Sequence, residues 1–85
     1  MNNLEALDYG VKLLKQNKIS SYNIDSELLL SNILNVSREH LLINLGKKIK
    51  KKNYYNYKKL LQRRIKNEPI AYILKKKNFG KTNFV

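Results

Sequence analysis

The chain is 85 residues long, and its 18 Lys and Arg against 6 Asp and Glu give a formal net charge of +12. It has no Cys and one His, which excludes disulfides, thiolate metal sites and a histidine-built metal centre. One small domain with one core is expected at this length, and a 42% hydrophobic content argues against wholesale disorder.

Residues 3–17 read as an amphipathic helix, because Leu4, Leu7, Val11 and Leu14 recur at steps of three and four and so share a face. Lys15 and Lys18 fall near its end, where cations suit the negative pole of the helix dipole. Ile19-Ser20-Ser21 forms a polar break, and either serine can cap a second helix running to about residue 35. Its apolar residues, Ile24, Leu28, Leu29, Leu30, Ile33 and Leu34, wrap around much of the cylinder, which puts this helix at the centre of a bundle. Ser37 is placed to cap a third helix, with Glu39 in the first turn and Leu41, Leu42 and Leu45 facing inward. Gly46 is expected to end that helix in a left-handed conformation.

Residues 47–52 hold five lysines and one isoleucine, a density of like charge that predicts an exposed connection. Asn53 is then expected to cap a fourth helix to about residue 66, with Tyr54, Tyr57, Leu60, Leu61 and Ile65 as its inner stripe. Tyr55 is left facing solvent. Glu68-Pro69 stops this helix, and Pro69 suits the first turn of a short fifth one over 70–73. Beyond Leu74, two aromatic-flanked segments around a polar turn predict the start of a β-hairpin, and the stop at Val85 reads as a cut ahead of a following domain. The expected fold is all-α: a small bundle of four longer helices and a short fifth over 1–74, with 75–85 opening an interdomain linker.

Catalytic patterns are lacking. The carboxylates are scattered, Gly10, Gly46 and Gly80 stand alone, and His40 follows a helix start with no partner in a recognisable spacing. No catalytic, cofactor-binding or metal-ligating residue is therefore expected. Lys, Asn and Ile together make 35 of the 85 residues, the joint excess an AT-rich coding sequence produces. The lysine run is accordingly read first as a solvated loop. Lys47, Lys48, Lys51, Lys52 and Tyr55 are nevertheless the candidate contacts for an acidic partner. A basic helical module binding RNA or DNA is the alternative, drawn from the charge and the neighbouring tyrosines. Arg63 and Arg64 can meet Asp25 and Glu27 if the second and fourth helices pack antiparallel. With no basic leader and no apolar run near the roughly 18 residues of a membrane span, a cytoplasmic setting without membrane contact is expected.

The stretch Arg63-Arg64-Ile65-Lys66-Asn67-Glu68-Pro69-Ile70-Ala71-Tyr72-Ile73 is the most informative one. It resembles the R-R-x-x-x-E-P-I-A-Y-I signature of the N-terminal domain of release factor glutamine methyltransferases, the HemK or PrmC family. Asp25-Ser26-Glu27-Leu28-Leu29-Leu30 is similar to that family's D-A-E-L-L-L helix, and Phe79 and Phe84-Val85 fall where its interdomain hairpin begins. Lys75 and Asn78 depart from the family's usual Gly and Glu, which leaves the turn into the hairpin open. The resemblance implies structural roles for Asp25, Glu27, Arg63, Arg64, Glu68, Pro69 and Tyr72. It also implies a helical bundle ahead of a Rossmann-like domain that transfers methyl from S-adenosylmethionine. The acceptor in the family is the glutamine side-chain nitrogen of the Gly-Gly-Gln motif in peptide-chain release factors. Neither the cofactor loop nor the Asn-Pro-Pro-Tyr motif of that domain occurs here, so the chain is expected to be a monomeric recognition module for the release factor.

Overall fold

Helix α1 (Asn3–Gln16) starts where Asn2 and Glu5 cap each other. Asn2 Oδ1 accepts from the Glu5 N–H and Glu5 Oε1 from the Asn2 N–H, both at 2.9 Å. The remaining first-turn donors find main-chain acceptors far along the sequence: the Asn3 and Leu4 N–H groups donate to the Lys47 and Leu45 carbonyls at 2.8 and 2.9 Å. Ile49 N–H in turn donates to the Met1 carbonyl at 3.1 Å. The start of the chain is thereby tied to the connection that precedes the fourth helix. These relations come from a computed structural model that describes residues 1–74; the expected hairpin over 75–85 lies outside the described residues.

Helix α2 (Tyr22–Leu34) packs against α1, α3 (Arg38–Ile43) and α4 (Lys51–Ile65). A final helical turn at 70–74, α5, adds the buried Ile73. The all-α reading holds: apart from one isolated bridge between Asn2 and Lys48, the described residues contain no β pairing. Leu29 and Leu30 are fully buried at the centre, with Ala6 and Leu14 from α1, Leu41 from α3, and Tyr57 and Leu61 from α4 around them. Ile24 stays exposed, because three neighbours cannot cover every side of an apolar cylinder.

Gly10, midway along α1, has a packing reason. A Cβ there would lie 2.0 Å from the Tyr57 hydroxyl, so the missing side chain is the space into which Tyr57 fits. That hydroxyl donates to the Ser26 carbonyl at 3.1 Å, satisfying the one polar atom of a wholly buried ring.

Several sequence expectations are corrected. Leu4 and Leu42 are exposed, since the buried face of α1 runs through Asn3, Ala6, Leu7, Gly10 and Leu14 and α3 is too short to cover its outer side. Ser37 does cap α3, accepting from the His40 N–H at 3.1 Å, but the helix stops at Ile43 and Gly46 is not left-handed. The left-handed cap belongs to Asn35 at the end of α2, with φ of 63°, a conformation Asn tolerates through local hydrogen bonding. Asn53 does not cap α4, which begins two residues earlier inside the lysine run. Lysine is a good helix former whose charge reaches solvent, so the apolar pull of Tyr54 and Tyr57 extends the helix back to Lys51.

Candidate functional site

Positive charge concentrates at both ends of α4, and the two ends are built differently. At the C-terminal end Arg64 Nε donates to Asp25 Oδ2 at 2.8 Å, and Ser21 Oγ donates to the same oxygen at 2.7 Å. Arg64 Nη1 also donates to the Glu68 carbonyl at 3.2 Å. Asp25 is 2% exposed, so its carboxylate is removed from water and matched by Arg64, which keeps some solvent contact. Arg63 donates through Nε and Nη2 to Glu68 Oε1 at 3.0 and 2.6 Å, and this hydrogen bond raises the guanidinium above its ordinary pKa. Glu27 turns instead to Arg38 on α3, at 2.7 Å. The Pro69 carbonyl accepts from Tyr72 and Ile73 N–H and starts α5, leaving the Tyr72 side chain exposed. Asp25, Arg63, Arg64 and Glu68 thus join α2, α4 and the turn before α5, while Glu27 joins α2 to α3 and Pro69 starts α5.

The N-terminal end of α4 has no such partners. Lys50 at the N-cap makes no side-chain cap, and no acidic residue lies in the first turn. Lys47 and Lys48 on the connection, Lys51 and Lys52 on the first turn, and Tyr55 one turn further are all exposed. Lys51, Tyr55 and Lys59 follow at steps of four and share a face, with Lys59 Nζ 4.6 Å from the centre of the Tyr55 ring. The structure therefore gathers all five sequence-derived contact candidates at one end of the molecule.

The described carboxylates are engaged elsewhere or lie outside ion-pair distance of these lysines. Glu5 caps α1, Asp8 pairs with Lys12, and Asp25, Glu27 and Glu68 are held by arginines; Glu39 occupies the first turn of α3. Among the described residues none of Lys47, Lys48, Lys50, Lys51 and Lys52 has an ion-pair partner. Lysines near the start of a helix also oppose its dipole, so an anion placed here relieves two unfavourable terms together.

Beside the lysines lies a cleft of about 250 Å³. Leu34, Val36, Leu41 and Ile49 line it, together with Lys47, Lys48, Lys50 and Asn53. A second hollow of about 320 Å³ shares Lys48 and Ile49 and adds Met1, Lys51 and Tyr54. The floor escaped the sequence reading because its residues come from separate segments: Leu34 and Leu41 were assigned to the core, and Ile49 to an exposed connection. Among the described residues no group of His, Cys, Asp and Glu is arranged to hold a metal ion, and no helix is long and apolar enough to cross a membrane. Cations beside an apolar floor equip this surface to bind a group that is both acidic and apolar.

The family model described as the PrmC N-terminal domain matches residues 5–74. The chain is 41% identical over 73 residues to a bifunctional methyltransferase of Rickettsia felis, covering 84% of this chain and 14% of that protein. It is 40% identical to the release factor glutamine methyltransferase of Clostridium botulinum, covering 89% of this chain and 26% of that protein. The corresponding enzyme of Leptospira interrogans is 32% identical, covering 95% and 28%. The chain thus spans between about a seventh and about a quarter of the length of these relatives. No solved structure matches it. With the match running through every described helix, this chain belongs to the PrmC N-terminal domain family.

Proposed function

We propose that this chain is the release-factor-recognition domain of an S-adenosylmethionine-dependent methyltransferase acting in the cytoplasm on the glutamine of the Gly-Gly-Gln motif. The observation that carries the reading is the family match over residues 5–74, supported by relatives named release factor glutamine methyltransferase. The division of labour is physically sound. A glycine-rich loop offers little surface for discrimination, so a contact remote from the reacting nitrogen supplies orientation and effective concentration. The basic end of α4 is the part of this domain best suited to that contact, and its unmatched charge speeds encounter with an acidic surface.

S-adenosylmethionine belongs, in this reading, to the catalytic domain that follows in such enzymes, where it supplies the methyl group. The residues here do not fit it: Gly10 is buried against Tyr57, Gly46 stands alone, and no glycine-rich loop precedes a helix. The chain's own task is to bind the protein substrate and hold it in register.

Methyl transfer measured with the longer enzyme that carries this domain tests the reading. Removing residues 1–74 should abolish most methylation of intact release factor while sparing slow methylation of a short peptide containing Gly-Gly-Gln. Undiminished methylation of intact release factor would reject recognition. Peptide activity serves as the control that the catalytic domain is folded.

A further inference from the structure

The cleft beside the lysines has a shape and chemistry that specify more than a charged patch. Its volume, about 250 Å³, falls below the roughly 300–1,000 Å³ of pockets that enclose a small molecule. It has room for one side chain and a short length of backbone. The floor of Leu34, Val36, Leu41 and Ile49 is apolar, whereas Lys48 and Lys50 stand beside it and the α4 first turn carries N–H groups with no side-chain cap.

We propose that this cleft seats an aliphatic side chain of an acidic peptide segment on the partner protein. The aliphatic group rests on the Leu34, Val36, Leu41 and Ile49 floor. A flanking carboxylate meets the first turn of α4 with Lys48 and Lys50. This deepens the recognition reading and rests on it, naming the kind of sequence the domain grips. An acidic peptide fits better than a nucleic acid, because the apolar floor offers nothing to a sugar-phosphate chain and His40 is the one ring among the residues that line this cleft.

Titration of the isotope-labelled 85-residue chain, followed by two-dimensional NMR, tests the inference. The probe is the capped peptide Glu-Glu-Leu-Glu-Glu, with versions carrying Ser for Leu and Gln for Glu, and oligothymidylate for comparison. The parent peptide should shift the Val36, Leu41 and Ile49 methyl signals together with the Lys51 and Lys52 amides. Both altered peptides should bind more weakly. Lys50→Glu, an exposed change that leaves the core alone, should weaken the parent peptide by up to about fivefold, the scale of one partly exposed charge contact. Val36→Glu should remove the methyl shifts. Equal binding of the Ser version, or the same methyl shifts from oligothymidylate, would overturn the proposal. Intact release factor separates the two readings: if it shifts a different face of the domain, recognition stands and this cleft assignment falls.

Discussion

Both ends of α4 are rich in cations, yet they are put to opposite uses. Arg63 and Arg64 each lie within 3 Å of a carboxylate, and their charge is consumed in fastening α4 to α2 and to the turn before α5. Lys50, Lys51 and Lys52 face solvent with no ion-pair partner among the described residues, at the pole of the helix where positive charge is least welcome. A fold optimised only for its own stability would place the acids at the lysine end. The molecule spends them on its joints, and the lysine end is left to be matched from outside.

The comparison is broken most severely at Arg64. Arg64→Ala leaves Asp25 charged in a buried site and should cost about 3 kcal/mol in urea unfolding, the low end for a broken buried pair because Arg64 keeps some solvent contact. The double change Asp25→Leu with Arg64→Met should recover most of that loss, since the charge and its partner leave together. A loss below about 1 kcal/mol for Arg64→Ala would mean that the joint is not structural.

Between the two ends, Tyr57 fixes α4 to α1. Gly10→Ala should destabilise by about 2 kcal/mol, because overpacking against the Tyr57 hydroxyl outweighs the roughly 1 kcal/mol helix gain of Ala over Gly. Adding Tyr57→Phe should restore part of it by removing the clashing oxygen. Burial pushes the Tyr57 phenol well above its ordinary pKa, with Tyr54 and Glu27 adding to the rise. Its contribution to stability is therefore complete below pH ~10 and is lost as pH rises further, where the unfolded chain releases the phenolic proton and the folded chain keeps it. Wild type should lose stability faster than Tyr57→Phe above pH 10, by up to about 1.4 kcal/mol per pH unit. Parallel alkaline curves would place the phenol in water.

The smallest effect is the most telling for the other end. Lys51→Glu and Lys52→Glu should each stabilise the domain by about 0.3–1 kcal/mol, since an anion in the first turn suits the dipole and relieves lysine repulsion. Thermal unfolding at low salt reads it. Destabilisation by both changes would show that these lysines hold the fold.

How far the sequence alone carried is clearest at particular residues. The apolar residues that wrap around α2 were enough to place it centrally, and the Ser37 cap and the solvent-facing Tyr55 needed only local rules. The meeting of Asp25 with Arg64 was expected only if α2 and α4 pack antiparallel, and Glu27 was lost to Arg38 because pairings across loops are not encoded in spacing. Gly10 held a clue: a glycine inside a run of good helix formers calls for a close neighbour, though not for Tyr57 by name. The start of α4 was misplaced because like-charge repulsion was weighed within the lysine run alone, without the buried Ile49 that anchors it or the tyrosine stripe that follows. The cleft was illegible for a related reason: its floor comes from three segments that meet only when Leu45 and Lys47 cap α1.

Steady-state methylation of intact release factor by the longer enzyme, with Lys47, Lys48, Lys51 and Lys52 all reversed to Glu, addresses the unmatched end of α4 most directly. A rise in KM for the release factor, a nearly unchanged kcat and an undiminished melting temperature are expected. Unaltered methylation efficiency in that folded variant would contradict a recognition role for this face.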